Sequence, residues 1–212
     1  MKQINKNIVL LANGEFPSNK IALDCIDKSD LIICCDGAAD KAIDKGYYPD
    51  YIIGDLDSIN NKIYRESELI HIPDQNRNDL RKSIYWIEKN GGKEVVILGA
   101  TGKRDDHALG NIFSLFNEKY NLRLKIITDY GQFIPIKNKM TFTTFIDQPL
   151  SFFCISSKPK ITAKNLKYPL KNTQLHNLYE GTLNSASSST LNVTITEGMA
   201  LIYLAHKGID CE

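Results

Sequence analysis

The stretch Tyr51-Ile52-Ile53-Gly54-Asp55-Leu56-Asp57-Ser58 decides the fold, because an apolar run passes here through a glycine into two carboxylates set two residues apart. A strand covered on both faces reads as a continuous apolar run, and acids at its end bring negative charge to the rim of a sheet. Oxygen ligands gathered at such a rim suit a hard cation such as Mg²⁺. The same grammar occurs twice more. Leu31-Ile32-Ile33-Cys34-Cys35 ends in Asp36-Gly37, and Val95-Val96-Ile97-Leu98 ends in Gly99-Ala100-Thr101-Gly102-Lys103-Arg104-Asp105-Asp106-His107. Asp and Gly close many strands merely by making turns. Three such endings in one chain point to a shared polar site.

Outward from these runs, Ile8–Ala12 and Leu124–Thr128 complete a set of short apolar segments that alternates with amphipathic ones between residues 7 and 131. That alternation predicts an α/β domain with a mainly parallel sheet and flanking helices. Leu80, Ile84 and Ile87 recur at helical spacing after Asn78, a residue suited to an N-cap, and Gly91-Gly92 closes the pattern. Leu109, Ile112, Phe113 and Phe116 repeat the spacing, so a second helix is expected to start at Asp106-His107, straight out of the glycine-rich loop. Its free N–H groups and the positive end of its dipole would face the sheet rim.

Beyond Gly131 the texture changes. Met140–Ile146, Leu150–Ile155, Leu191–Ile195 and Ala200–Leu204 are β-branched and aromatic, and Leu191, Val193 and Ile195 alternate with polar neighbours. Alternation of this kind marks a half-buried antiparallel strand. A smaller all-β domain is therefore expected, giving domains at 1–131 and 132–212, with Ser185-Ala186-Ser187-Ser188-Ser189 as a flexible turn.

The 212 residues suffice for one large domain or two small ones with a sizeable core. Lys and Arg number 26 against 25 Asp and Glu, a net charge of +1 with no basic run, so the footprint of a nucleic-acid binder is missing and a small ligand is expected. Five cysteines, an odd count without a C-x-x-C pair, argue against a disulfide framework or zinc site. The run Ile8–Ala12 is too short for a signal segment or a membrane span, and the protein is expected in the cytoplasm, away from membranes.

A turn after Gly54 can bring Asp55 and Asp57, two residues apart, to one ion. Asp79, at a helix start, offers a third carboxylate. The loop from Gly99 to His107 joins glycines that let backbone approach an anion with Arg104, whose guanidinium can grip phosphate at two points. It is not a P-loop, since Ile97 stands at the first glycine position and Arg104 follows Lys103. His107 suits either a general base or a hydrogen-bonded helix-start residue. A cation site beside a phosphate cradle gives Mg²⁺-nucleotide chemistry, without naming the acceptor.

As an ordered set these motifs resemble thiamine pyrophosphokinases (thiamine diphosphokinases). The family pattern has Asp-Gly-Ala after an early strand, here Asp36-Gly37-Ala38, then Pro-Asp and Gly-Asp-x-Asp-Ser, here Pro49-Asp50 and Gly54 to Ser58. Asp-Gln and Thr-Asp follow, here Asp74-Gln75 and Asn78-Asp79, and then Gly-x-x-Gly-Gly-Arg-x-Asp-His, here Gly99 to His107, with Asn111-Ile112 behind it. A later Gly-x-Ser-Asn turn matches Gly181-Thr182-Leu183-Asn184. The chain departs from the pattern at Asn78 for Thr, Lys103 for the second Gly and Leu183 for Ser.

The resemblance implies a Rossmann-like sheet followed by a sandwich-like β domain, and transfer of the β,γ-pyrophosphoryl group of ATP to the hydroxyl of thiamine, releasing AMP. It implies Asp55, Asp57 and Asp79 as Mg²⁺ ligands with Asp36 in support, and Gln75 orienting substrate or phosphate. Arg104 would grip the phosphates, with Gly37, Ser58, Gly102, Asp106 and His107 completing the nucleotide site. Gly181, Thr182 and Asn184 would contact thiamine at a homodimer interface. Two rivals use the same acids and Arg104: a metal-dependent phosphohydrolase, which passes the group to water, and a nucleotide-binding module without catalysis.

Overall fold

The computed structural model describes residues 7–57, 66–117 and 119–208; Ser58 and Cys211 lie outside that set. Two compact units are distinguished, one of Met1–Ser114 with Lys119–Asp129, the other of Leu115–Glu118 with Tyr130–Glu212.

The first unit runs β1 (Ile8–Leu11), α1 (Lys20–Asp27), β2 (Leu31–Cys35), α2 (Ala38–Asp44), β3 (Tyr51–Gly54), β4 (Glu68–His71), α3 (Asp79–Lys89), β5 (Glu94–Leu98), α4 (Asp105–Phe113) and β6 (Arg123–Ile127). Its strands lie in the order β6-β5-β1-β2-β3-β4, and every pair among them is parallel. Cys34 and Cys35 show why the strands read as unbroken apolar runs. Cys34 joins Val9, Leu11, Ile52 and Leu98 in a buried cluster with Ala22 and Ile26 of α1 and Ala38, Ala39 and Ala42 of α2. Cys35 points the other way, 3.5 Å from Ser83 Oγ on α3. With helices on both faces, consecutive residues are buried alternately against different layers.

The helix expected after Asn78 forms, with Leu80, Ile84 and Ile87 buried and Asn78 Oδ1 accepting from Arg81 N at 3.0 Å. α4 starts at Asp105, one residue before the expected start, but the part of its apolar stripe within the helix does not become its buried face. Leu109 is 53% and Phe113 38% exposed, and Asn111 is the buried residue of the helix. A polar side chain fixed to the glycine-rich loop, described below, occupies the inner face instead.

The second unit holds β7 (Gly131–Ile136), β8 (Lys139–Thr143), β9 (Pro149–Phe153), β10 (Lys160–Ala163), β11 (Leu170–Gln174), β12 (Asn184–Ser185), β13 (Thr190–Thr196) and β14 (Ala200–Ala205). They pair antiparallel in two runs, β12-β9-β14-β7 and β11-β10-β13-β8. Leu191, Val193 and Ile195 of β13 share one buried cluster with Phe152 of β9 and Ile202 of β14, as their alternation predicts. The serine-rich segment is not a free turn. Ala186 is buried, its N–H donates to Gln148 O at 3.0 Å, and Ser187 N donates to Asn165 O at 2.9 Å. Backbone hydrogen bonds, which do not depend on side-chain polarity, stitch it into the unit.

Among the described residues no helix is long and apolar enough to cross a membrane. Cys25, Cys34, Cys35 and Cys154 are free thiols.

Candidate active site

Parallel pairing puts the carboxyl ends of β1, β2, β3 and β5 on one edge of the first unit. From β1 the chain steps through β2 and β3 to β4, then returns to place β5 on the other side of β1. Crossovers leave β1 and β5 in opposite directions, the arrangement that marks a switch point at this edge of the sheet. Those loops are joined by backbone: Ala12 N donates to Leu98 O at 2.8 Å, Gly14 N to Gly99 O at 2.7 Å and Glu15 N to Thr101 O at 2.8 Å. A Cβ on Gly14 would lie 2.3 Å from the carbonyl oxygens of both Gly99 and Thr101, so only glycine allows this approach.

Along the same edge Asp36 follows β2, Asp55 follows β3 and Asp79 opens α3. One carboxylate oxygen from each lies within 4.8 Å of the others. Gly54 makes this convergence possible: a Cβ there would sit 2.8 Å from Asp36 Cβ and 3.3 Å from Asp79 Oδ1. Three acids so close repel one another, and Lys82, one turn into α3, offsets them. Its ammonium is 2.9 Å from Asp79 Oδ1 and 3.6 Å from Asp55 Oδ2, on a side chain only 3% exposed. Burial alone would lower the Lys82 pKa, but the hydrogen bond and charge of Asp79 and the charge of Asp55 outweigh it, and the net shift is upward. Burial raises Asp55 in turn, yet Lys82 and a hydrogen-bond interaction with Asp57 bring it below the usual carboxylate value.

Asp57, expected in the central cluster, is exposed and stands outside it; Asp36, expected in support, is inside and buried. The cause is the backbone. The residue with positive φ is Leu56 (62°), not Gly54, and this bend after Asp55 turns the chain outward before Asp57. Three carboxylate oxygens within reach of a single point are a donor set that fits a hard divalent cation.

A cleft of about 760 Å³ adjoins the acids and is lined also by Gln75, Asn78, Lys103, Arg104 and His107. Arg104 does not extend freely into it. Its Nε and terminal nitrogen donate to the two oxygens of Asp106 at 3.1 and 2.7 Å, and that pairing holds the Asp106 carboxyl down at about 2. Gly102 takes φ +89°, and a Cβ there would meet the Glu15 side chain at 2.5 Å. Gly37 caps α2, where a Cβ would strike the Asn13 amide nitrogen at 2.6 Å.

Asn78, which stands where the family pattern has Thr, keeps the cap and adds a second bond. Its Nδ2 donates to Asn111 Oδ1 at 3.2 Å, and Asn111 Nδ2 donates to Ala100 O at 2.9 Å. The helix start bearing Asp79 is thereby tied to the glycine-rich loop through one side-chain amide.

In the second unit, Asn184, expected to contact thiamine, is bonded to the backbone around it. It is buried, its Oδ1 accepts from Tyr168 N at 3.1 Å and Ser185 N at 2.9 Å, and its Nδ2 donates to Tyr168 O at 2.8 Å. These three bonds brace the turn. Gly181 is packed so that a Cβ would lie 2.2 Å from Phe152 O, and Thr182 Oγ1 donates to Tyr179 O at 2.7 Å. What the turn presents outward is Leu183, 88% exposed at φ 61°.

Lys82 and Asn13 are site residues that the sequence reading missed. Lys82 sits three residues after Asp79, a spacing usually read as a surface ion pair, and only the convergence of strand ends buries it. Asn13 follows β1 in the motif Asn13-Gly14-Glu15, where the strand-end rule, applied to β1, would have found it.

The fold and site define an α/β protein with a polar cleft at the switch point of a parallel sheet and a carboxylate cluster at its lip. More particularly, the chain belongs to the thiamin pyrophosphokinase family: the family's catalytic domain matches residues 22–128 and its substrate-binding domain residues 131–203. Thiamine pyrophosphokinase of Bacillus subtilis is 28% identical over 182 residues, covering 80% of this chain and 84% of that protein. Thiamine pyrophosphokinase 1 of rice is 31% identical over 130 residues, 49% of each. The chain spans about half the length of the rice relative and 41% of that of Caenorhabditis elegans thiamin pyrophosphokinase 1. Among solved structures, the B. subtilis thiamine pyrophosphokinase superposes with a TM-score of 0.80 at 21% identity, covering 94% of this chain and 99% of that one. The Candida albicans enzyme gives 0.78 at 20%, covering 95% and 90%. These likenesses establish the fold, mixed α/β with a second β-sheet domain.

Proposed function

We propose that this protein is a thiamine diphosphokinase, which joins the hydroxyl oxygen of thiamine to the β-phosphorus of ATP while the bond from that phosphorus to the AMP oxygen breaks. The observation that carries the reading is the meeting of Asp36, Asp55 and Asp79 beside a cleft lined by Arg104 and His107, in a chain of this family. Residues 1–131 are read as the Rossmann-like ATP domain and 132–212 as a sandwich-like domain for thiamine and homodimer formation. Asp55, Asp57 and Asp79 would hold Mg²⁺, with Asp36 in support. Bound there, the cation would offset charge on the phosphates during transfer.

Gln75 orients the phosphates or the thiamine hydroxyl. Arg104 exchanges Asp106 for phosphate oxygens, and the backbone around Gly37, Gly102 and His107 lines the nucleotide. Gly181 and Asn184 shape the turn that offers Thr182 and Leu183 to thiamine. Free thiols in the described residues agree with a reducing, cytoplasmic setting.

The test is incubation of purified protein with thiamine, ATP and Mg²⁺, reading thiamine diphosphate and AMP in equal amounts. Phosphate or pyrophosphate released without thiamine would assign a phosphohydrolase instead, and nucleotide binding without turnover a non-catalytic module.

A further inference from the structure

We propose that Lys103 and Lys41 form a two-cation anchor for the polyphosphate chain of the nucleotide, seated on Asn13 and separate from the carboxylate cluster. The inference rests on the reading of the cleft as an ATP site and adds to it a residue at which this chain departs from its family, since the family pattern carries glycine at position 103.

Lys41, on α2, donates to Asn13 Oδ1 at 2.8 Å, Asn13 O at 3.2 Å and Gly14 O at 2.6 Å. Lys103, from the glycine-rich loop, donates to the same Asn13 Oδ1 at 3.3 Å. Two ammonium groups from different elements thus converge on one amide oxygen. These acceptors are neutral, so the hydrogen bonds orient the cations without cancelling their charge. The acid facing Lys41 is Glu15, whose charge raises the lysine's pKa; burial and the neighbouring Lys103 lower it more, to about 8. A pair that discharges one member to relieve repulsion is an arrangement in which a polyanion is favoured.

The division of labour follows from the bonds. Lys41 has its three donors committed to Asn13 and Gly14, so it positions that loop and contributes charge. Lys103 is exposed, holds Asn13 by a long bond, and lines the cleft alongside Arg104 and His107, so it is the group that reaches phosphate oxygens.

The experiment compares wild type with Lys103→Gly, which installs the family residue at an exposed loop position. Binding of inorganic triphosphate is measured by calorimetry at pH 8, without metal or thiamine, in buffers of differing ionisation enthalpy. Wild type is expected to take up more protons on binding than the variant, because the anion restores the charge of Lys41 while the anion's own last proton contributes to both. Lys103→Gly is expected to bind roughly tenfold more weakly, the size of one hydrogen bond to a charged group, with less proton uptake. In turnover the loss should fall on the KM for ATP rather than on kcat or the KM for thiamine. Unchanged triphosphate affinity in Lys103→Gly overturns the anchor. Because triphosphate binding needs no chemistry, an inactive wild type would overturn the proposed reaction and leave this measurement to decide the anchor by itself.

Discussion

Lys82 and Gly54 do the most to set the acid cluster, one by charge and one by absence of a side chain. Lys82→Met would leave Asp55 and Asp79 unopposed next to buried Asp36. Since these two carboxylates are 27% and 34% exposed, the expected destabilisation is about 2 kcal/mol, below that for breaking a fully buried pair. Added Mg²⁺ should then raise the unfolding midpoint of Lys82→Met by more than that of wild type. Equal responses in thermal scans would mean that the lysine and a cation do not share the carboxylates. Gly54→Ala should separate Asp36 from Asp79, costing about 1–3 kcal/mol and most of the turnover. An active, equally stable Gly54→Ala protein would show that the cluster tolerates being opened. Asp57→Asn should lower turnover with little effect on stability, because Asp57 is exposed. The acids themselves were legible from sequence, as strand ends in a parallel sheet must share an edge. Which of them meet was not: that depends on the φ of 62° at Leu56, a backbone choice its side chain does not advertise.

Among elements, β2 offers the sharpest check on the layered packing. Burial pushes the Cys34 thiol well above its usual range and Cys35 to about 12, and Cys154 of the second unit to about 11. The thiolate is the reactive form, so these three should resist alkylation at pH 8 in the folded protein and react once it is unfolded, as peptide mass spectrometry would reveal. Rapid modification of Cys34 or Cys35 under native conditions would contradict helices covering both faces. The five apolar runs of the first unit were legible because their strands bury most of their consecutive residues. β4 was not, since Glu68–His71 is an edge strand with Glu68, Leu69 and His71 exposed and therefore carries no apolar signature. It pairs parallel with β3, Tyr51 opposite Glu68 through Gly54 opposite His71. The apolar spacing of α4 gave the helix but misread its orientation, because the inward position went to Asn111.

For the whole molecule, the two units suggest different sensitivities. Asn184→Ala should destabilise the second unit by about 1–3 kcal/mol, since the braced turn loses a buried amide and leaves Tyr168 backbone groups unpaired. If thiamine contact were its main role, stability would hold and only the KM for thiamine would rise. Leu183→Ser, which supplies the family hydroxyl, should change the thiamine KM without altering the unfolding midpoint, because that side chain is 88% exposed. Homodimer formation is tested by sedimentation and turnover measured together across protein dilution. Full-rate synthesis of thiamine diphosphate by a monomer would remove the partner chain from the site.

The single amide of Asn111 has a consequence for motion. Because it holds Asn78 with one end and Ala100 with the other, the first turn of α3 and the glycine-rich loop cannot open independently without stranding a buried polar group. Amide hydrogen exchange should therefore report the two segments as one cooperative opening unit, with matching free energies and a common gain in protection when nucleotide binds. In Asn111→Ala the two should exchange at separate rates, and the loop on one side of the cleft would move without notifying the carboxylates on the other.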